Sequence, residues 1–366
     1  MHALNSSRTD ARSQLLLDEL AEYEKFLIVT HDNPDPDAIA AGWAIYDLIQ
    51  KKLSKSVRLI GGGGIVRAEN RHMAELLEPP LQLVSSIDSP ADTATILVDC
   101  EAGGTNQLLT RQALDPVAVI DHHSQNANQP HVRFRDVRPD VVACVTIAGS
   151  YLREQQLEPG PKLATAMLFA MRTETRGEEF CYSPLDRSML NWLTERAEPT
   201  LLAEIESAPL DIEYYGDVVL ALQNTFVFGQ TGICLLPRAE GAEIVGEMAD
   251  LLIRCQGVSR VLCAASVNED LYVSVRTESD LDNAADLVRK TLAGIGSGGG
   301  HGHRAGGKIS DIAPDGRWQE DLRNRWLTTC GDDRKQAKRL VARHEIIDHL
   351  QETTDFPCGK RGNTSS

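Results

Sequence analysis

Residues 26–38, which read FLIVTHDNPDPDA, decide the fold of the first part of this chain. The first four are apolar and favour a buried strand, and residues 38–53 favour a helix without proline. The polar segment between them therefore lies at the carboxyl end of a strand, where open α/β sheets bind their ligands. It carries one imidazole and three carboxylates: His31, Asp32, Asp35 and Asp37. Carboxylates this close together repel, so the segment predicts a cation site; the alternative is a helix cap at Asp37 after a solvated turn.

Two further apolar runs end in the same kind of residue. Residues 94–98 are followed by Asp99, and residues 117–120 are followed by Asp121, His122 and His123. Strands that alternate with helices in this way predict a parallel sheet covered on both faces. Asp99 by itself is most simply a helix cap or a solvated loop residue. However, the carboxyl ends of parallel strands share one edge, so the sequence predicts that the three groups converge on one metal site.

The rest of the chain predicts helices and then a second domain. Residues 141–207 favour helices, with Glu174 following one of them, and residues 211–227 favour a crossing helix. The predicted fold is α/β, with an N-terminal parallel-sheet domain (1–207), a linker helix (208–230) and a smaller α+β domain (231–315). Residues 316–366 are predicted to be a polar tail, partly helical, with a basic surface helix over residues 335–350.

A glycine-rich stretch at residues 296–307 contains two histidines and an arginine. Glycines without side chains let backbone N–H groups approach an anion closely, so Gly299, Gly300 and His301 are candidate ligand contacts in a loop. A flexible linker is the alternative for this stretch. Arg276, at the end of a predicted strand, is a second candidate phosphate contact, although a strand-end arginine is more often a solvated charge.

Composition limits the partners of this protein. The net charge of −16 argues against tracking along a long nucleic acid, which requires many cations on one face, but it permits a small phosphorylated ligand. The eight cysteines form no CxxC pair, which is typical of buried free thiols in a reducing cytosol. No apolar run is long enough to span a membrane and no secretory signal is visible, so we expect a cytoplasmic protein.

With His31-x3-Asp35-x-Asp37, then Asp99, Asp121-His122-His123 and a distal Gly299-Gly300-His301, the chain resembles the DHH phosphoesterase superfamily. Residues 20–312 look most like its soluble branch with a DHH-associated C-terminal domain, the nanoRNase and pAp-phosphatase group related to RecJ exonuclease. The resemblance implies a phosphohydrolase with two Mn²⁺ ions per subunit. Oxygen and imidazole ligands without thiolates also suit Mg²⁺ or Co²⁺.

The resemblance implies a role for each motif residue. His31, Asp35 and Asp99 would hold one metal, and Asp37, Asp99 and His122 the other, with Asp99 bridging. Asp121 would orient a ligand, His123 would face the substrate, and Asp99, His122 and His123 would be the catalytic residues. Arg276, Gly299, Gly300 and His301 would bind the terminal phosphate of a nucleotide. The fourth metal motif of the family usually carries aspartate, whereas this chain has Glu174, which can still be a ligand of the second metal although its extra methylene shifts the carboxylate.

These observations favour hydrolysis of very short oligonucleotides or linear dinucleotides. A phosphomonoesterase acting on 3′-phosphoadenosine 5′-phosphate would use the same residues. A nucleotide-sensing module that has lost turnover is the alternative from another class, supported by Glu174 alone. A RecJ-like enzyme for long single strands is disfavoured by the acidic charge. The sequence is compatible with a homodimer and does not decide oligomeric state.

Overall fold

The computed structural model describes residues 11–65, 67–88, 92–123, 132–175, 182–239, 241–278, 282–300, 302–312, 317–332 and 337–341. His301 and residues 342–366 therefore lie outside the described residues. The chain divides into two compact units, Met1–Pro209 and Leu210–Ser366, each with its own sheet. No helix among the described residues has both the length and the apolar character that a membrane crossing requires.

The first unit alternates strands and helices, as the periodicity of its sequence predicts. Its elements are α1 (Arg12–Leu20), β1 (Lys25–Val29), α2 (Pro36–Leu53), β2 (Ser56–Gly61), α3 (Ala68–Leu77), β3 (Leu81–Leu83), β4 (Thr93–Val98), α4 (Leu108–Arg111), β5 (Ala118–Asp121), β6 (Phe134–Val137), α5 (Cys144–Glu154), α6 (Pro161–Thr175), α7 (Pro184–Thr194) and α8 (Pro199–Glu206). The strands form a six-stranded parallel sheet in the order β3-β2-β1-β4-β5-β6.

Both faces of this sheet are buried, which explains why its central strands are continuous apolar runs. Phe26 and Ile28 of β1 point into the larger core, which includes residues of α2, α5 and α6, whereas Leu27 and Val29 point into a smaller core that includes Leu108 and Leu109 of α4. The strand order reverses between β1 and β4, because β2 and β3 lie on one side of β1 and the later strands on the other. The crevice at such a reversal is the usual ligand site of an open parallel sheet.

The second unit contains a mixed seven-stranded sheet. Its elements are α9 (Ile212–Gln223), β7 (Thr225–Phe228), β8 (Thr231–Leu236), α10 (Glu243–Leu252), β9 (Arg260–Val267), β10 (Asp270–Thr277), α11 (Ala284–Leu292), β11 (Ser297–Gly300), β12 (Arg304–Ile309), α12 (Arg317–Cys330) and β13 (Ala337–Arg339). Strands β8 and β9 pair in parallel, while the other pairs, including the β9–β10 hairpin, are antiparallel. The predicted α/β architecture with a second α+β domain is confirmed.

Three local predictions for the second unit are wrong. The expected helix 211–227 ends at Gln223, and Thr225–Phe228 form a strand because Phe228 enters the core. The glycine-rich stretch is a hairpin of β11 and β12 rather than a loop, since Gly298 and Gly307 let α11 pack closely against the ladder. Ala337–Arg339, expected to be helical, pair with β7 instead.

Candidate metal centre

The loop after β1 is shaped by the helix that follows it. Asp35 is the N-cap of α2, and its Oδ1 accepts hydrogen bonds from the N–H groups of Asp37 at 3.0 Å and Ala38 at 3.1 Å. Pro36 occupies the first helical position, where a missing N–H costs nothing. The alternative prediction, in which Asp37 serves only as the helix cap, is therefore wrong. The N-cap is Asp35, and Asp37 lies inside the first turn, where it is 1% exposed.

Asp99 lies at the centre of the predicted site, directly after β4. It is 2% exposed and has a positive φ of 60°. Its Oδ2 lies 3.7 Å from His31 Nε2, and its Oδ1 lies 3.4 Å from His122 Nε2. The two carboxylate oxygens thus face imidazoles from two different strand ends. Oδ1 has no hydrogen-bond partner, and a buried charged oxygen in this state is expensive.

Each imidazole has a second carboxylate beside it. His31 Nε2 is 3.8 Å from Asp35 Oδ1, and His122 Nε2 is 3.6 Å from Asp37 Oδ2. The ligand atoms of His31, Asp35 and Asp99 lie within 4.8 Å of one another, a spacing that can hold a metal ion. The same holds for Asp99, His122 and His123. The structure therefore brings together the residues that the sequence places at three separate strand ends.

Two anchors hold the side chains on the far side of this cluster. Both oxygens of Asp37 accept backbone N–H groups at the start of α5, from Cys144 at 2.6 Å and Val145 at 2.8 Å. Asp121 Oδ1 accepts the backbone N–H of His122 at 2.8 Å, and the backbone N–H and Nδ1–H of His123 at 3.2 and 2.8 Å. Nδ1 of His123 therefore carries a proton, and this hydrogen bond fixes the orientation of the ring.

Crowding of charge in a buried place perturbs the titration of these groups. Burial, followed by the charges of Asp37, Asp35, Asp121 and Glu174, raises the pKa of Asp99 well above its usual range. Burial and the charge of Asp35 raise the pKa of Asp37 to about 7. Burial lowers the pKa of His31, but its interactions with Asp35, Asp32 and Asp37 outweigh this and raise it to about 9. Without a cation the cluster holds protons, which a divalent ion would replace.

The donor set fits a hard or borderline divalent cation. It consists of carboxylate oxygens and imidazole nitrogens, one of which, Asp99 Oδ1, is buried without a partner. Two thiols lie close by, but Cys100 Sγ donates to the carbonyl of Val98 and Cys144 Sγ to that of Ile120, both at 3.5 Å. Burial raises the pKa of both thiols well above the usual value, so neither offers a thiolate. This set suits Mn²⁺ or Mg²⁺.

Glu174 lies in the last turn of α6 and is half-buried. It is close enough for its charge to raise the pKa of Asp99. The structure thus places Glu174 beside the cluster, while its ligation of a metal stays a prediction.

The candidate phosphate contacts lie together in the second unit. Arg276 of β10 pairs in register with Arg304 of β12, and Gly300 of β11 pairs with Ala305. Gly300 has a φ of 147°, and a Cβ there would lie 2.4 Å from the carbonyl oxygen of Arg304. Arg276 is 8% exposed; its Nε bonds to Asp250 and its Nη1 donates to Ser274 Oγ at 2.7 Å. Arg276, Gly299 and Gly300 stay predictions as ligand contacts, and His301 lies outside the described residues.

Sequence reasoning missed the supports of the centre. Nothing in the sequence showed that the start of α5 would hold Asp37, because 107 residues separate the partners. The ion pair between Asp32 and Arg111 was also missed, although the unusual density of carboxylates after β1 gave a signal for Asp32.

Residues 25–171 match the model of the DHH family, N-terminal domain. The first unit is therefore a domain of the DHH superfamily, which confirms the resemblance seen in the motifs. A curated relative, an uncharacterized protein of Methanocaldococcus jannaschii, is 28% identical over 310 residues, or 84% of this chain. The chain spans 63% of the length of that relative.

Two solved structures share the fold. An exopolyphosphatase-related protein of Bacteroides fragilis gives a TM-score of 0.62 at 14% identity, covering 87% of this chain and 98% of its own. RecJ of Thermus thermophilus, in complex with Mn²⁺, gives a TM-score of 0.53 at 13% identity, covering 88% of this chain and 54% of its own. At these identities the likeness concerns the fold alone.

Proposed function

We propose that this protein is a metal-dependent phosphoesterase that hydrolyses very short oligonucleotides or linear dinucleotides with two Mn²⁺ ions. The observation that carries the proposal is the position of Asp99, whose two oxygens face His31 and His122 and of which one has no partner. In the proposal Asp99 would contribute a ligand to both sites, with His31 and Asp35 in one and Asp37 and His122 in the other. Membership of the first unit in the DHH superfamily supports it.

Two divalent cations in this cluster would supply an activated water and neutralise charge on the phosphoryl oxygens. The residues of the chain supply the remaining chemistry. His123 is 37% exposed and donates Nδ1–H to Asp121; in the imidazolium form, its Nε2–H would donate to a phosphate oxygen or transfer its proton to a leaving oxygen. Burial lowers the pKa of His123, but the hydrogen bond to Asp121 together with the charges of Asp121 and Asp35 outweighs burial and raises it. We propose Asp121 as the group that orients His123, and Glu174 as a further ligand of the second site.

The proposed preference for short substrates rests on charge and on the second unit. A net charge of −16 disfavours a long polyanion, whereas a few local cations suffice for one terminal phosphate. Arg276 with Gly299, Gly300 and His301 would bind that phosphate.

The test is product analysis by chromatography. Metal-stripped protein is reloaded with Mn²⁺ and given 5′-phosphorylated dinucleotides, a 5-mer, a 20-mer and 3′-phosphoadenosine 5′-phosphate. Mononucleotides should appear fastest from the shortest strands. Asp99→Asn should abolish turnover, whereas the control Asp47→Asn, on the same helix as Asp37 but paired with Lys51 at 2.9 Å, should keep it.

Other outcomes would redirect the proposal. Phosphate released only from the adenosine bisphosphate would make the protein a phosphomonoesterase. Binding of a dinucleotide without any product would favour a sensor, and would direct attention to the glutamate at position 174.

A further inference from the structure

The orientation of His31 depends on its neighbour. His31 Nδ1 lies 2.8 Å from the backbone carbonyl oxygen of Asp32, which can only accept, so Nδ1 carries the proton. This turns Nε2 toward the cluster, 3.7 Å from Asp99 Oδ2. The orientation of the imidazole therefore depends on the position of the Asp32 backbone.

Asp32 is held from three sides. Its backbone N–H donates to the carbonyl of Asn106 at 2.7 Å. Its carboxylate forms a two-pronged ion pair with Arg111, in which Nη2 lies 2.9 Å from Oδ1 and Nη1 binds Oδ2. Gly62, in the loop after β2, has no side chain, and a Cβ there would lie 2.0 Å from Asp32 Oδ1. Segments that follow β1, β2 and β4 thus meet at Asp32.

We propose that Arg111 is a positioning residue of the metal centre, whose ion pair with Asp32 holds His31 Nε2 toward the cluster. This inference rests on the proposed function, since it takes His31 as a metal ligand. The ordinary alternative is a surface ion pair without consequence, because the Arg111 side chain is 43% exposed and such pairs contribute little.

A purely electrostatic role and a positioning role of Arg111 predict opposite changes in Mn²⁺ affinity when the residue is replaced. Its guanidinium is a positive charge near a cation site, so removing it should tighten the binding of Mn²⁺ if charge alone matters. If Arg111 positions His31, removing it should weaken binding at the site that contains His31. The support of a metal-ligating histidine typically changes affinity about 10- to 100-fold. For a half-exposed pair we expect a loss of about 3- to 10-fold.

The experiment is a Mn²⁺ titration of the full chain by calorimetry and electron paramagnetic resonance, without substrate. His31→Ala identifies the affected site. Arg111→Gln and Asp32→Asn should each lower the affinity of that site for Mn²⁺. The double variant should lose no more affinity than the more affected of the two single variants, because the two residues act as one unit. Arg111→Lys should be intermediate, since lysine keeps the charge but lacks the planar fork. The control Arg196→Gln removes the same charge from a pair with Glu158 and should change nothing.

Unchanged or tighter binding in Arg111→Gln, with two sites intact in the wild type, would overturn the positioning role and leave the proposed function standing. Additive losses in the double variant would also overturn it. If the wild type binds no Mn²⁺ at all, the proposed function fails first and the role of Arg111 fails with it. Arg111→Lys keeps the test decisive if Arg111→Gln does not fold.

Discussion

Replacing Asp99 with asparagine should stabilise the metal-free protein while removing its response to metal. In the metal-free wild type, Asp99 is buried next to other carboxylates, and its Oδ1 has no hydrogen-bond partner. Asparagine has nearly the same shape, carries no charge and tolerates the positive φ of 60° at this position. The backbone should therefore stay in place while the repulsion is relieved.

The size of the effect follows from the burial of Asp99. Asparagine still places a polar atom without a partner at this position, so the gain comes from removing the charge. An unsatisfied buried group costs about 1–3 kcal/mol when neutral and more when charged. We expect the unfolding free energy of metal-free Asp99→Asn to exceed that of the wild type by about 1–3 kcal/mol at pH 8. For a unit of this size, that raises the unfolding midpoint by about 2–12 °C.

The assay is thermal unfolding with chelator and with excess Mn²⁺, at several pH values. Saturation at 100 times the dissociation constant should stabilise the wild type by about 2.7 kcal/mol, and the variant by much less. The pKa of Asp37, about 7 when folded and near 4 when unfolded, adds a pH dependence. Between these values the folded state holds a proton that the unfolded state has lost, so metal-free stability should fall as the pH rises.

This prediction is wrong if chelator-treated Asp99→Asn unfolds at a lower temperature than the chelator-treated wild type at pH 8. Such a result would mean that Asp99 makes a stabilising contact in the metal-free state that outweighs the repulsion. Equal stabilisation of both proteins by Mn²⁺ would show instead that the ion binds elsewhere.

Three further outcomes are expected. Mn²⁺ binding at pH 7 should release protons from His31 and Asp37, because their pKa values are about 9 and about 7. Calorimetry in buffers of different ionisation enthalpy measures this release. A binding enthalpy that is the same in all buffers would contradict it. Burial by itself raises the pKa of Asp136, but its bonds to Arg138 outweigh this and lower it, so its contribution to stability is present above about pH 4 and disappears below; Asp136→Asn should cost about 1–3 kcal/mol at pH 7 and less at pH 3 in urea unfolding. Trp326→Ala should cost about 3–5 kcal/mol by the same method, whereas Trp326→Phe should cost far less because Trp326 Nε1 has no partner to lose; equal losses would contradict this.

The sequence predicts the part of the fold that apolar runs encode. Strands β1, β4 and β5 are continuous and buried on both faces, so their ends, and with them the convergence of Asp99 with His31 and His122, could be read in advance. Strand β6 could not be predicted, because it reads FRDV and its buried Asp136 depends on partners elsewhere in the chain, among them Arg138 and Tyr151. Partners that lie far along the chain leave no local pattern.

The same limit explains the errors after residue 210. Helix α12 is polar overall, and the tail was predicted to be only partly helical, yet Leu322, Trp326 and Leu327 enter the core of the second unit. Three apolar residues in a polar segment are too few to reveal that contribution. Ala337–Arg339 gain their strand geometry from β7, since short edge strands depend on a neighbour more than on their own composition.

The hydrogen bonds from the start of α5 to Asp37 have a consequence for the folding of the nascent chain. The carboxylate belongs to residue 37, but the N–H groups that hold it belong to residues 144 and 145, and β1 pairs with β4 across some 70 positions. A nascent chain on the ribosome that has exposed only the first hundred residues has the histidine and aspartates of the β1 loop without the surroundings that orient them. An ion would therefore be captured late, and the metal content of purified protein would report the fraction of molecules whose first unit is completely folded.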